Sequence, residues 1–387
     1  MDALARESGY SGAYSSEMVR NMTGRPFSEL LQRIRCRETA RLLRTTDLPV
    51  GEIIRRVGYR NESVSGKSPV NVLYGTQGIQ KEGKMMTKEQ YIKNLSVPAG
   101  RVDVVLDTDA FNEIDDQFAI AYLLRWQEKL NTKAIYAAPF YNDNATGPKD
   151  GMEKSYLEIR KLLEMMGTDV PTFRGSERFL PSEEDAVLSP AAADLAERAN
   201  SYSPERPLYV VAIGAITNVA SAILLNPKVT ENTVVVWLGG HGYHYSDTAE
   251  FNMRGDIAAA RVVMGSGVPF VQLPCMGVVS EFRISEPELR TWLLGKNPLA
   301  DYLARNTIAA AERYAKGKPW TRVIWDVTAV AWLLNEEDRF MKSRLVPLRR
   351  PGSDSLYGQP EGENLVRYVY HIRRDALMED LIQKLLV

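Results

Sequence analysis

Three stretches of this chain share one pattern: an apolar, β-branched run, a turn, and then a helical period. They are "VDVVLDTDAFNEIDDQFAIAYLL", "PLYVVAIGAITNVASAILLNP" and "TVVVWLGGHGYHYSDTAEFNMRGDIAAARVVM", and a further strand-like run, "VPFVQLPC", follows. Apolar runs without alternating polar residues suit strands buried on both faces, which means parallel strands covered by helices. The repetition predicts an α/β fold with a doubly wound, mostly parallel open sheet. In detail it predicts a strand over 102–106 and a helix after Asp115. A turn at Gly214 should lead into a helix near Asn218, and a strand ending at Gly239 and Gly240 should pass through a polar loop to a helix from about Asp256.

At 387 residues the chain exceeds the usual single domain, so two parts are expected. Charge divides them. Residues 1–100 hold 16 of the 48 Lys and Arg but 10 of the 49 Asp and Glu, which leaves 32 against 39 in the rest. A basic arm therefore precedes an acidic body. The expected organisation is an all-α domain over 1–80, a polar linker over 81–100 and the α/β body over 101–387. No apolar run approaches the roughly 18 residues of a membrane span. The start "MDALARESGY" is too polar for a signal peptide, and Cys36 and Cys275 are too far apart to suggest a disulfide framework. A cytoplasmic location is expected. Three histidines and two cysteines argue against a thiolate or imidazole zinc cage.

Within the basic arm, a short helix ending at Gly9 and a second one closed by Gly24 are the elements of a helix-turn-helix. A longer helix from Pro26 and a short one stopped by Gly58 follow. The stretch "ALARESGYSGAYSSEMVRNMTGRPFSELLQRIRCRETARLLRTTDLPVGEIIRRVGYRNES" resembles the DNA-binding domain of AraC-type regulators. The resemblance implies a first reading surface ending at Arg20, with Arg33, Arg37 and Arg41 as phosphate contacts. The second unit departs from the pattern: "NESVSGKSPVNVLYG" has no aromatic before Tyr74, and Pro69 sits in mid-helix. Proline there costs roughly 3 kcal/mol, so that reading helix is expected to be broken and DNA binding weakened.

The body opens on crowded carboxylates: Asp107, Asp109, Glu113, Asp115 and Asp116 follow the first strand. They fall at the carboxyl end of a strand and at a helix start, the edge where open α/β sheets bind ligands. A helix dipole favours Asp115 and Asp116, but Asp109 beside them calls for a cation. Hard carboxylate oxygens on one loop suit calcium better than zinc. A later Asp326 precedes the apolar helical segment "VTAVAWLL".

In order, "DTD…IDD", "AIGAITNVA", "LGG…AEFN" and "WDVTAVAWLL" resemble the nucleoside hydrolase (inosine-uridine N-ribohydrolase) family, over residues 101–387. The resemblance implies a Ca2+ ion held by Asp109, Asp116, the carbonyl of Ile213 and Asp326. That ion would also bind two sugar hydroxyls and the attacking water. Asp109 would be the general base, and Asp115 would accept from the ribose 2′-hydroxyl. Asn252 and Glu250 would hold the 3′- and 5′-hydroxyls, with Asn142 a further sugar contact and Asn144 its alternative. The reaction implied is loss of a base from C1′ through an oxocarbenium-like state. The family is often oligomeric, so a homo-oligomer is expected.

Three departures bear on the base. The family's "DTDPGxDD" is here "DTDAFNEIDD", two residues longer and without its glycine. A histidine that many members place before the late aspartate is Trp325, an aromatic face able to stack on a heterocycle or simply to fill the core. An asparagine of the sugar loop is His244. His241 and His244 are the acids available to a leaving base, and His371 is structural by default. Two functions compete: a calcium-dependent N-glycosyl hydrolase, and a DNA-binding regulator whose body senses a nucleoside. The intact acidic cluster and the broken reading helix favour the hydrolase.

Overall fold

Along β1 (Val102–Thr108) successive side chains leave the sheet on opposite sides, Val104 and Leu106 into one apolar core and Val105 into another. The computed structural model describes residues 86–387 apart from Glu363, together with Glu52 and Arg56. The chain divides into two compact units, Met1–Lys84 and Met85–Val387. The helix-turn-helix expectation, including Arg20, Arg33, Arg37, Arg41 and the break at Pro69, lies outside the described residues.

The second unit is built on eight strands in the order β3-β2-β1-β4-β5-β6-β10-β9. They are β2 (Leu130–Ala137), β3 (Thr172–Arg174), β4 (Leu208–Ala212), β5 (Thr233–Leu238), β6 (Phe270–Leu273), β9 (Met341–Pro347) and β10 (Leu365–Ile372), beside β1. Every neighbouring pair is parallel except β10 and β9, which makes β9 the one antiparallel edge. A separate antiparallel pair, β7 (Arg283–Ser285) and β8 (Thr321–Val323), lies apart from it.

Helices cover both faces, as fully apolar strands require. The first described helix is α1 (Lys88–Asn94). On the Val104 side lie α2 (Asp115–Arg125), α3 (Pro148–Met165), α9 (Val327–Trp332) and α10 (Arg374–Leu385). The other side holds α4 (Pro190–Arg198), α5 (Thr217–Leu225) and α7 (Ile257–Gly265). The long α8 (Pro298–Ala315) adds Leu299 and Leu303 to the first core. A five-residue helix, α6 (Phe251–Gly255), interrupts the segment expected to be an unbroken polar loop before Asp256. Glu250 starts it by accepting from the backbone N–H of Asn252 and Met253. No helix among the described residues is long and apolar enough to cross a membrane.

The expected linker over 81–100 needs correction, because its described part belongs to the body. Thr87 caps α1 by accepting from the backbone N–H of Gln90, and Leu95 after it is fully buried. Tyr91 donates to the carbonyl of Leu365 at 2.8 Å, and Arg367 donates to that of Leu95 at 2.7 Å. The charged face of a short amphipathic helix, read without its partner strand, passes for a linker.

From β1 the chain runs outward through β2 and β3, then returns to β4 on the other side of β1 and continues to β5 and β6. The crevice beyond the carboxyl ends of β1 and β4 is the switch point where such sheets bind ligands.

Candidate active site

Asp107 is the penultimate residue of β1, and Asp109 follows directly after the strand. The loop then turns tightly, with Asn112 N–H donating to the carbonyl of Asp109 at 2.7 Å, and delivers Asp115 and Asp116 into the first turn of α2. Across the switch point, β4 ends on Ala212, and Ile213 and Gly214 follow it. A Cβ at Gly214 would stand 2.9 Å from an Asp109 carboxylate oxygen, so glycine is what lets the two loops close on each other. From the far side comes Asp326, at the cap position of α9. Its side chain makes no capping hydrogen bond and is left for the crevice.

These carboxylates are buried together. Asp109, Asp115, Asp116 and Asp326 line one cavity of about 280 Å³. Asp115, Asp116 and Asp326 each bring an oxygen within 4.8 Å of the others, a set able to hold a metal ion. Both carboxylate oxygens of Asp109 are buried without any hydrogen-bond partner. Two outer contacts steady the group: Thr108 Oγ1 donates to Asp116 at 2.5 Å, and Asn218 Nδ2 donates to Asp107 at 2.8 Å. Burial, reinforced by the neighbouring carboxylates, pushes Asp109, Asp115 and Asp326 well above the usual carboxylate range. Burial raises Asp116 to about 6 despite the Thr108 hydroxyl, and Asp107 to about 7 despite Asn218. Buried like charges of this kind are stable only with a proton or a cation among them.

The opposite wall of the cavity comes from the loop after β5. Glu250 accepts from Gly240 N–H at 3.0 Å as well as from the start of α6, so its carboxylate is fixed. Burial raises it, opposed by those N–H groups and by the Cys275 thiol. Asn252 Nδ2 donates to the carbonyls of Ile213 at 3.2 Å and Leu238 at 3.0 Å. A carbonyl has two lone pairs, so Ile213 keeps one for another partner. Asn142 also lines the cavity and donates to Asn112 Oδ1 at 2.5 Å; Asn144, its alternative, binds the carbonyl of Asn112 and does not line it.

Trp325 and His241 also line the cavity. Burial lowers His241, partly opposed by Asp247, and its Nδ1 is buried without a partner. His244 is exposed and does not line the cavity; its ring packs on Tyr245. This corrects the expectation that it stands ready as an acid. His371 is exposed on β10. The cavity also contains Asn112, Glu113, Cys275 and Met276, which sequence reasoning did not assign. Cys275 sits just past the carboxyl end of β6, and that position was the one signal available for it.

Residues 104–350, more than half of the chain, match the model of the inosine-uridine preferring nucleoside hydrolase family. The chain belongs to that family. It is an enzyme of the N-glycosyl hydrolase class, and residues 4–65 match a helix-turn-helix domain. Among its relatives is the pyrimidine-specific ribonucleoside hydrolase RihA of Escherichia coli O8 (strain IAI1). It is 26% identical over 295 residues, covering 69% of this chain and 89% of that protein. RihA of Citrobacter koseri is 29% identical over 251 residues, covering 58% and 77%. Solved structures share the fold of this nucleoside hydrolase body. An inosine-guanosine nucleoside hydrolase matches with a TM-score of 0.60 at 18% identity, covering 74% of this chain and 99% of that one. The plant nucleoside hydrolase PpNRh1 matches with a TM-score of 0.59 at 19% identity, covering 75% and 100%.

Proposed function

We propose that this chain hydrolyses the N-glycosidic bond of a ribonucleoside or a close ribosyl relative, with calcium bound by Asp109, Asp116, the Ile213 carbonyl and Asp326. The observation that carries this reading is the convergence of four buried aspartates, drawn from the ends of β1, α2 and α9, on one cavity shared with Glu250 and Asn252. An all-oxygen donor set with unpartnered carboxylate atoms fits a hard divalent cation. The tightest grouping of oxygens includes Asp115 rather than Asp109. We favour Asp109 as ligand because both of its carboxylate oxygens are buried without a hydrogen-bond partner, which leaves Asp115 for the sugar. Calcium, when bound, supplies the charge that holds sugar hydroxyls and makes a water easier to deprotonate.

The chain's own groups do the rest. Asp109 takes the proton of the attacking water, Asp115 accepts from the 2′-hydroxyl, and Asn252, Glu250 and Asn142 fix the remainder of the sugar. Trp325 offers a face to the base. His241, held neutral by burial, offers an N–H to the departing nitrogen rather than an imidazolium. To test the reading, the purified chain is incubated with a panel of nucleosides, with calcium or with a chelator, and released ribose is assayed. Ribose release that needs calcium and fails in Asp109→Ala is expected; equal rates in the two proteins would sink the assignment.

The match of residues 4–65 to a helix-turn-helix domain favours a second role, as a regulator that binds DNA through Arg20, Arg33, Arg37 and Arg41. An electrophoretic shift with promoter DNA at two salt concentrations decides it, since phosphate contacts weaken steeply with salt. The same reading puts the protein in the cytoplasm, where the buried free thiol of Cys275 stays reduced, and treats it as a homo-oligomer, which sedimentation would check.

A further inference from the structure

A second cavity, of about 210 Å³, lies beside the first, and Phe251 lines both. The two differ sharply in charge. Six carboxylates line the first, among them Asp109, Glu250 and Asp326. The second is walled by Phe140, Tyr141, Phe179 and Ala215, and its one ionised side chain is Arg254. The spacing of three residues within α6 brings Phe251 and Arg254 to the same side of that helix, while Glu250 and Asn252 reach into the acidic cavity. The Arg254 guanidinium is exposed and has neither an ion pair nor a hydrogen bond with any described residue. Tyr141 beside it is 61% exposed.

A cation at the rim of an aromatic pocket is suited to an anion, because guanidinium binds phosphate oxygens in a planar fork and apolar walls strengthen the attraction. The same anion would be repelled by the carboxylates of the neighbouring cavity, with which this one shares Phe251. We propose that the second cavity receives a 5′-phosphate, and that the preferred substrate is a ribonucleoside 5′-phosphate rather than a free nucleoside. The proposal rests on the placing of the sugar's 5′ end at Glu250 and Asn252. In the reaction, water adds to C1′, the bond from C1′ to the base breaks, and the base leaves with a proton. The phosphate ester stays whole, so the products are a free base and ribose 5-phosphate.

The test measures binding of ribose, ribose 5-phosphate and inorganic phosphate to the full chain in calcium, by calorimetry. One charge-assisted hydrogen-bonded contact predicts that ribose 5-phosphate binds about tenfold or more tighter than ribose. In Arg254→Ala that ratio falls to about one, whereas Arg254→Lys, which keeps a charge without the fork, retains part of it. Hydrolysis of a nucleoside and of its 5′-monophosphate should show the same ratio in kcat/KM. Equal binding of ribose and ribose 5-phosphate by the unaltered chain, or a preference untouched by Arg254→Ala, overturns the proposal. If no ribosyl compound is cleaved the hydrolase reading falls, and the binding ratio still decides what the second cavity holds.

Discussion

At Asp109 binding and stability pull in opposite directions. Its two carboxylate oxygens are buried without a partner among other carboxylates, so the metal-free fold is strained by the group we propose as calcium ligand and base. Asp109→Asn should abolish ribose release, with a loss of at least about a hundredfold if it is the base. It should also raise the melting temperature of the metal-free chain, since relieving a buried uncompensated charge is worth at least about 1 kcal/mol. A variant that is both inactive and less stable would count against the charge argument. The pH dependence follows in sign. Asp107 and Asp116 titrate near 7 and 6 in the fold but near 3.9 when unfolded, so the fold holds more protons. Metal-free stability therefore falls as pH rises from about 4 to about 7. Calcium acts on the ionised form, so the melting-temperature gain on adding it should be larger at pH 8 than at pH 5.

Among the elements, the loop between β5 and α6 is the least regular part of the site and the most carefully held. Gln272 on β6 donates to the Tyr357 hydroxyl at 2.9 Å and to the Gly239 carbonyl at 3.1 Å, and Tyr357 donates to the His241 carbonyl at 2.8 Å. Tyr243 lies between Tyr357 and Tyr368, donates to Gln272 Oε1, and donates its backbone N–H to the Tyr368 hydroxyl. The segment joining β9 to β10 thus pins the loop that carries His241 and Glu250. Tyr357→Phe removes both bonds of that hydroxyl, from Gln272 and to His241, and about 1 kcal/mol of lost positioning corresponds to a loss of roughly fivefold in kcat/KM. Hydrogen exchange should quicken at 240–249 and stay unchanged in β1. The close approach of two loops gives a second test. Gly214→Ala would press a methyl onto the Asp109 carboxylate, so calcium affinity should drop while the sheet keeps its stability. A calcium titration would read this directly.

On the scale of the whole molecule, the boundary between the two units lies before Met85, and the body needs what precedes 101. A chain cut to 85–387 should keep its melting temperature and its ribose release. One cut to 101–387 loses α1 and the fully buried Leu95, and the loss of a core leucine costs about 2–5 kcal/mol. Parallel thermal melts of the two pieces would show equal stability if α1 were only a spacer.

The strands and helices of the body, and the edge on which Asp107 through Asp116 fall, were legible because burial on both faces writes an unbroken apolar run and a turn writes glycine. Those signals are local. The sequence by itself also pointed to the donor chemistry, since clustered carboxylate oxygens suit a hard cation better than a soft one. Which carboxylates meet was a matter of topology, because β1 and β4 become neighbours only when the sheet reverses direction between them, and Asp326 arrives from more than two hundred residues away. Tertiary structure alone decided that α1 belongs to the body, that His241 faces the cavity while His244 faces solvent, and that Arg254 stands over an aromatic pocket beside the acidic one. Each of those depends on contacts between segments far apart in the chain, and no local period records them.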